Sequence, residues 1–342
     1  MAKNCTSGIS HYSQVNIEAF LEEWNNSSDK VLVHTSGSTG QPKPMWVEKR
    51  RMEASARMTC RYLGLQPGDT ALLCLPLDFI AGKMMVVRSL VWRLHLTCLA
   101  PSNHPFGAAK LSESHMPFDL VAMVPSQVYS TLQVPEERER LRQTRHLIIG
   151  GGAIDEALAH ELATFPNHVW STYGMTETLS HIALRRLNGL QRSDWYTPFD
   201  GVSVSLNADG CLVIDAPAVH DGTLVTNDMA EIREGRFRIL GRKDNVICSG
   251  GIKIQMEVVE QLLHPHLTVP FMITRAKDEQ WGETVVMLLE QSDVPAVRAV
   301  CQKVLPKYWQ PRRFILVDRL PMTMTGKPAR AEAERLAAEK LK

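Results

Sequence analysis

The chain has 342 residues, with 38 Lys and Arg against 37 Asp and Glu, and no basic block along its length. That balance leaves no electrostatic footprint for nucleic acid. The most apolar stretch, Met84 to Ala100, is cut by Arg88, Arg93 and His95, so no membrane span is expected, and the N-terminus lacks an apolar core of signal-peptide length. Seven scattered cysteines without a Cys-x-x-Cys pair suit a reducing compartment, and a cytoplasmic protein is expected. The length allows a large domain and a smaller one of about 100 residues.

Ile17, Phe20, Leu21 and Trp24 share one helical face over residues 16–26. Val31 to Val33 is a short β-branched run that breaks into Thr35-Ser36-Gly37-Ser38-Thr39-Gly40-Gln41-Pro42-Lys43. Such a stretch reads as a strand feeding a phosphate loop or as a flexible Ser/Gly linker. Two residues between Gly37 and Gly40 do not make the Walker spacing. A charged helix follows over Glu48 to Leu63. Buried strands are expected at 70–77, 96–99, 120–124, 146–149 and 168–171, with helices at 81–94 and 157–163 and a turn at Pro125-Ser-Gln. This alternation predicts a mainly parallel sheet covered on both faces, with ligand loops at the carboxyl ends of its strands.

The texture changes after Asn188. Short runs at 202–206, 211–214, 223–226 and 236–240, with Asn207-Ala-Asp-Gly210 as a hairpin turn, read as antiparallel β. Beyond Gly241-Arg242-Lys243-Asp244 lies an α+β unit, with helices at 255–264 and 295–305, strands at 271–274, 284–290 and 314–317, and a charged terminal helix. The expected fold is therefore α/β, with a large N-terminal domain, residues 1–241, that has a β-rich part from about 198. A small mobile C-terminal α+β domain, residues 242–342, completes it.

Among the glycine-bearing turns, Thr172-Tyr173-Gly174-Met175-Thr176-Glu177-Thr178 combines an aromatic that can stack on a purine, a permissive glycine and a carboxylate able to ligate Mg²⁺. An Asp such as Asp228 after a strand is most often a turn former.

Taken together, these motifs resemble the adenylate-forming enzymes: acyl-CoA synthetases, peptide-synthetase adenylation domains and luciferases. Thr35 to Lys43 looks like their phosphate loop, which implies ATP contacts for Thr35, Ser36, Gly37, Ser38, Thr39 and Gly40 and a catalytic cation in Lys43. Thr172, Tyr173, Gly174 and Met175 match the adenylate motif, which gives Thr176 a phosphate contact and Glu177 the metal. Gly150, Gly151, Gly152 and Ala153 resemble the turn against adenine and the acyl substrate. Asp228 and Arg242 fall at the ribose-binding positions, although the usual Thr-Gly-Asp appears as Thr226-Asn227-Asp228. Asp244 falls at the hinge. Leu320-Pro-Met-Thr-Met-Thr-Gly-Lys327 is similar to the carboxy-terminal motif whose lysine enters the site during adenylation.

Two departures qualify the match. Pro76-Leu77-Asp78-Phe79 replaces the usual histidine-bearing turn, so Phe79 takes the gating place by position alone, and only about thirty residues precede the phosphate loop, which implies a reduced first subdomain. The resemblance implies a ligase that uses ATP, Mg²⁺ and coenzyme A. Its reduced size and Gly150-Gly-Gly-Ala-Ile wording look most like the o-succinylbenzoate:CoA branch of menaquinone biosynthesis, whose second carboxylate needs a cation. Lys83 and Arg88 are the candidates. Other aryl or fatty acid ligases, a peptide-synthetase-type enzyme and a non-catalytic adenylate-binding protein are the alternatives. Homo-oligomerisation is left open.

Overall fold

The computed structural model describes residues 11–34, 44–107, 111, 116–152, 154–290, 293–323 and 328–341. Helix α1 (His11–Asn25) leads into a two-stranded antiparallel ribbon, β1 (Lys30–His34) and β2 (Pro44–Glu48). His34 pairs with Pro44, so the two ends of the Thr35 to Lys43 stretch are neighbours; that stretch itself lies outside the described residues. The edge of β1 away from β2 is satisfied by side chains, because the Leu32 amide donates to Glu23 at 2.8 Å and the Leu32 carbonyl accepts from Lys83 at 2.7 Å.

Next come α2 (Lys49–Leu63), β3 (Thr70–Leu73), α3 (Ile80–Trp92), β4 (His95–Cys98), β5 (Leu120–Met123), α4 (Pro125–Leu132), α5 (Pro135–Arg142), β6 (His146–Ile149), α6 (Glu156–Leu162), β7 (His168–Gly174), β8 (His181–Arg186) and β9 (Thr197–Pro198). These build a seven-stranded sheet in the order β4-β3-β5-β6-β7-β8-β9. Its first five strands are parallel, and β8 and β9 add antiparallel at one side. Apolar residues run unbroken along the strands because both faces are covered. Ala71, Leu73, Leu120, Ala122 and Ile148 enter one core with α2 and α3, while Leu72, Val121, Met123, Leu147, Ile149 and Val169 enter the other.

Pro125 and Pro135 open helices α4 and α5 at the first helical position, where the missing N–H costs nothing. The expected turn at Pro125 is thus the start of a helix.

A four-stranded antiparallel sheet follows, β10 (Ser203–Leu206), β11 (Cys211–Asp215), β12 (Thr223–Arg233) and β13 (Arg236–Arg242). The last sheet contains β14 (Val246–Ser249), β15 (Ile252–Gln255), β16 (Phe271–Asp278), β17 (Gly282–Glu290) and β18 (Arg313–Val317), with helices α7 (Met256–Leu263), α8 (Val294–Val304) and α9 (Arg330–Lys340). It is sandwiched: Ile273, Val285 and Met287 pack with α7 and α8, and Met272, Val286 and Leu288 with Ala333 and Ala337 of α9.

Buried Cys60, Cys74 and Cys301 behave as small hydrophobes. Burial pushes their thiols up to about 11, about 12 and about 11. Among the described residues no helix is long and apolar enough to cross a membrane.

Candidate active site

The loop at the carboxyl end of β3 meets the end of β1. Phe79, at the head of α3, bridges His34 in parallel fashion, which sets it beside the entry to the Thr35 to Lys43 stretch. The turn before it is tight, since a Cβ on Gly82 would lie 2.3 Å from the Pro76 carbonyl oxygen. Gly150 leaves β6 with its amide on Met123 O at 3.1 Å, and a Cβ there would meet Thr172 Oγ1 at 2.3 Å. Glycine therefore lets two adjacent parallel strands release their loops side by side. Gly151 and Gly152 continue the turn against Val124 and Pro125; Ala153 lies outside the described residues.

The turn after β7 closes on itself. Gly174 pairs with His181 across β7 and β8, so closely that a Cβ on Gly174 would sit 2.3 Å from Ser180 O and 2.4 Å from His181 Cα. Within the turn, Thr178 Oγ1 accepts from the Met175 amide and lies 2.8 Å from Ser180 O, while Leu179 takes a left-handed φ of 65°. Leu179 is buried, and its packing holds a backbone that a side chain disfavours. Thr176 is buried, and Glu177 is exposed. Among the described residues no ion pair or hydrogen bond engages the Glu177 carboxylate, which opens on a cleft of about 210 Å³ lined also by Trp46, Arg51, His220 and Asp221. An oxygen donor of this kind, without a protein partner, fits a hard divalent cation.

Asp228 is not in a turn. The expected strand end at Thr226 is overrun, and Asp228 sits within β12, directly opposite Arg242 of β13. That pairing depends on a bulge. Met229 pairs with Gly241 but Ala230 pairs with Ile239, so Leu240 is an extra residue that brings Arg242 to the face of Asp228. Arg242 Nη1 lies 3.6 Å from Asp228 Oδ1, and Nη2 reaches Asp244 Oδ2 at 3.1 Å. Asn227 Nδ2 also donates to Asp244, at 3.2 Å. The Tyr173 hydroxyl donates to Asp228 Oδ2 at 2.7 Å, which brings the adenylate turn and the hairpin together. Burial and the neighbouring Asp228 push the Tyr173 phenol far up, so it remains a donor. Its ring packs edge-on against Phe237, centroids 5.0 Å apart, and beside Tyr196.

The two cations expected to meet a second carboxylate part company. Lys83 is occupied by Leu32 O and by Glu23 at 3.4 Å, with Phe20 beneath its ammonium. Arg88 is not the helix-surface charge that an amphipathic reading would allow. It is 2% exposed, with Nη2 donating to Ser180 Oγ at 2.6 Å and Nη1 3.6 Å from Met85 Sδ, and its buried Nε has no partner. Among the described residues no carboxylate pairs with it. Burial pulls it down to about 10, which leaves it charged at neutral pH. Ser180 and His181, which bind behind Arg88, carried no motif signal in the sequence.

Lys327 lies outside the described residues, but both ends of its segment are held. Met322 bridges Pro328, the Ala329 amide donates to Pro321 O at 2.9 Å, and Arg330 forks onto Glu260 at 2.7 and 2.6 Å.

An α/β architecture with glycine-bearing turns, a tyrosine and an Asp–Arg pair facing across two strands is the framework of a nucleotide-handling enzyme. Residues 11–216 match the model of the AMP-binding enzyme family, and the chain belongs to that family. It is similar to a 2-succinylbenzoate--CoA ligase of Bacillus mycoides, 25% identical over 94% of this chain and 73% of the relative. It also resembles the crystal structure of an acyl-CoA synthetase (AMP-forming)/AMP-acid ligase II-like protein from Dyadobacter fermentans. That match has 32% identity and a TM-score of 0.66, and covers 98% of this chain and 97% of the other. The o-succinylbenzoate CoA synthetase MenE of Bacillus subtilis, solved with ATP and magnesium, shares the fold at 24% identity, with a TM-score of 0.71 over 88% of this chain and 69% of the other.

Proposed function

We propose that this protein is an ATP-dependent acid:CoA ligase whose acid is o-succinylbenzoate. A carboxylate oxygen of the acid attacks the α-phosphorus of ATP, the bond to the β-phosphate oxygen breaks, and pyrophosphate leaves. The CoA thiol then loses its proton and attacks the acyl carbon, and AMP departs with the ester oxygen. Asp228 and Arg242 bind the ribose, the Tyr173 ring lies against the adenine, and Gly150 to Gly152 let the base and acyl group approach the backbone. Glu177 would hold Mg²⁺, which supplies charge neutralisation at the phosphates when bound. Thr35 to Gly40 cradle the phosphates, and Lys43 and Lys327 meet the anionic charge that opposes attack of one anion on another. Asp244 is the hinge about which the residues from 242 onward reorient between the two half-reactions.

The observation that carries this reading is the convergence of Tyr173, Asp228 and Arg242 at 2.7 and 3.6 Å, two elements distant in sequence meeting at a family motif. The choice of acid is supported by Arg88, a buried guanidinium whose Nε has no partner and which suits a second carboxylate. Buried free thiols at Cys60, Cys74, Cys211 and Cys301 support a cytoplasmic setting. The test is a panel of carboxylic acids assayed for CoA-dependent AMP release and for acid-dependent ATP/pyrophosphate exchange. Turnover of o-succinylbenzoate well above benzoate and fatty acids is expected. Exchange with no acid at all would overturn the ligase, and preference for a monocarboxylate would overturn the acid.

A further inference from the structure

Behind the adenylate turn runs a buried polar chain that ends on Arg88 and whose histidine and threonine none of the assignments above uses. His181 Nε2 lies 3.0 Å from Thr59 Oγ1, and His181 Nδ1 lies 3.3 Å from Ser180 Oγ. Thr59 Oγ1 also lies 3.2 Å from Ser55 O, one turn back on α2, and Ser180 Oγ receives Arg88 Nη2 at 2.6 Å.

Each hydrogen in this chain has one consistent direction. A carbonyl only accepts, so the single hydroxyl hydrogen of Thr59 goes to Ser55 O, and Thr59 Oγ1 must accept from His181 Nε2–H. His181 is buried and held neutral, its basicity lowered by burial and by Arg88, so the other nitrogen, Nδ1, is an acceptor. The Ser180 hydroxyl therefore donates to Nδ1, which turns its lone pairs toward the guanidinium. One imidazole thus decides how Ser180 faces Arg88.

We propose that His181, fixed by Thr59, is a positioning residue that orients the Ser180 hydroxyl and through it the Arg88 guanidinium, and so sets the preference for acids bearing a second carboxylate. This deepens the reading of the substrate given above and rests on it. Without the Thr59 hydroxyl the imidazole can rotate or change tautomer. Ser180 then turns its hydrogen toward the arginine, and the fork loses its aim. Gly174 pairs with His181 in the ladder, so the same backbone that builds the adenylate turn carries this relay.

The experiment compares kcat/KM for o-succinylbenzoate and for 4-oxo-4-phenylbutanoate, which lacks the second carboxylate, in wild type, Thr59→Val, Thr59→Ser and His181→Asn. Thr59→Val and His181→Asn are expected to lower the diacid preference at least about ten-fold through the KM of the diacid, the loss of one charge-assisted hydrogen bond. The monoacid should change less than about two-fold in Thr59→Val, and Thr59→Ser should restore the preference. An unchanged preference in folded Thr59→Val, or equal losses on both acids, would overturn the proposal. A ligand-free readout separates it from the choice of acid: ¹⁵N NMR of His181 should show the neutral Nε2–H tautomer in wild type. The Nδ1–H tautomer would overturn the relay even if o-succinylbenzoate is the substrate, and a wild type that ignores o-succinylbenzoate would sink the choice of acid.

Discussion

Tyr173 at the end of β7 donates its hydroxyl to Asp228 in the middle of β12, across 55 positions of sequence, at 2.7 Å. The carboxylate proposed to bind a ribose is thus held by a phenol and a guanidinium, and the proposal has a ribose hydroxyl take the place of Tyr173.

Asp228→Asn is expected to raise the KM for ATP about ten- to a hundred-fold, the worth of a hydrogen bond to a charged group. Tyr173→Phe should alter it less than about three-fold, because it removes a competitor for the same oxygen while keeping the ring against Phe237. Steady-state kinetics with ATP varied checks both. A loss in Tyr173→Phe as large as in Asp228→Asn would refute the displacement.

Two glycines separate a relievable clash from an unrelievable one. Gly150→Ala places a methyl 2.3 Å from Thr172 Oγ1, a side-chain atom, so Gly150→Ala is expected to cost about 1–3 kcal/mol and the added Thr172→Ala to recover most of it. Gly174→Ala meets Ser180 O and His181 Cα, which are backbone, and no single side-chain change should rescue it. Urea denaturation of the three variants measures this, and recovery absent in the double variant would contradict the crowding.

Acid should weaken the fold through its buried histidines. Burial and His168 hold His146 down to about 3, with Trp170 Nε1 donating to its Nδ1, and His181 is also held well below 6.5. Both stay neutral when folded and charge when unfolded, so their contribution is complete above pH 6.5 and is lost as pH falls, for His146 down to about 3. Each adds a slope of about 1.4 kcal/mol per pH unit below 6. Glu48 and Asp221 are also held low, but their unfolded values near 4.5 and 3.8 confine them to more acidic solutions. Melting temperature should therefore fall between pH 7 and 5, and less steeply in His146→Gln. An identical slope in that variant would refute it.

Arg330→Ala is expected to destabilise by about 3–5 kcal/mol, because Glu260 would keep a charge at 14% side-chain exposure without its fork. Arg330→Lys should fall between, since an ammonium cannot make the bidentate contact. With Lys327 three positions away, ATP/pyrophosphate exchange should fall further than thioester formation from pre-made acyl adenylate. Equal losses in the two half-reactions would assign the pair to stability alone.

Much of this was legible from residue pattern. Unbroken apolar runs announced the parallel strands because both faces are buried, and glycine-bearing turns announced the loops. Three features were hidden. Helix α4 begins on Pro125, which reads as a turn because Ser126 and Gln127 follow it, and α5, opening on Pro135, carried no expected element. Strand β12 continues through Asn227 and Asp228, residues of poor strand propensity that the neighbouring strands hold in place. The partners of Arg88 and Lys83 are set by packing between α1, β1, α3 and the turn before β8, which no local pattern encodes. The segments 35–43 and 324–327 carry family wording, yet their places lie outside the described residues.

The extra residue at Leu240 has a counting consequence. Side chains on a strand alternate in direction, so the facing of Asp228 and Arg242 is a matter of parity rather than of attraction. Deleting Leu240 would close the bulge and leave Arg242 opposite Asp228, whereas one further residue in the strand between Gly241 and Ile239 that does not bulge out would turn the guanidinium to the opposite surface. The bulge at Leu240 is thus a slack point of the hairpin, a place where one residue can be lost while the pair that faces the nucleotide turn keeps its register.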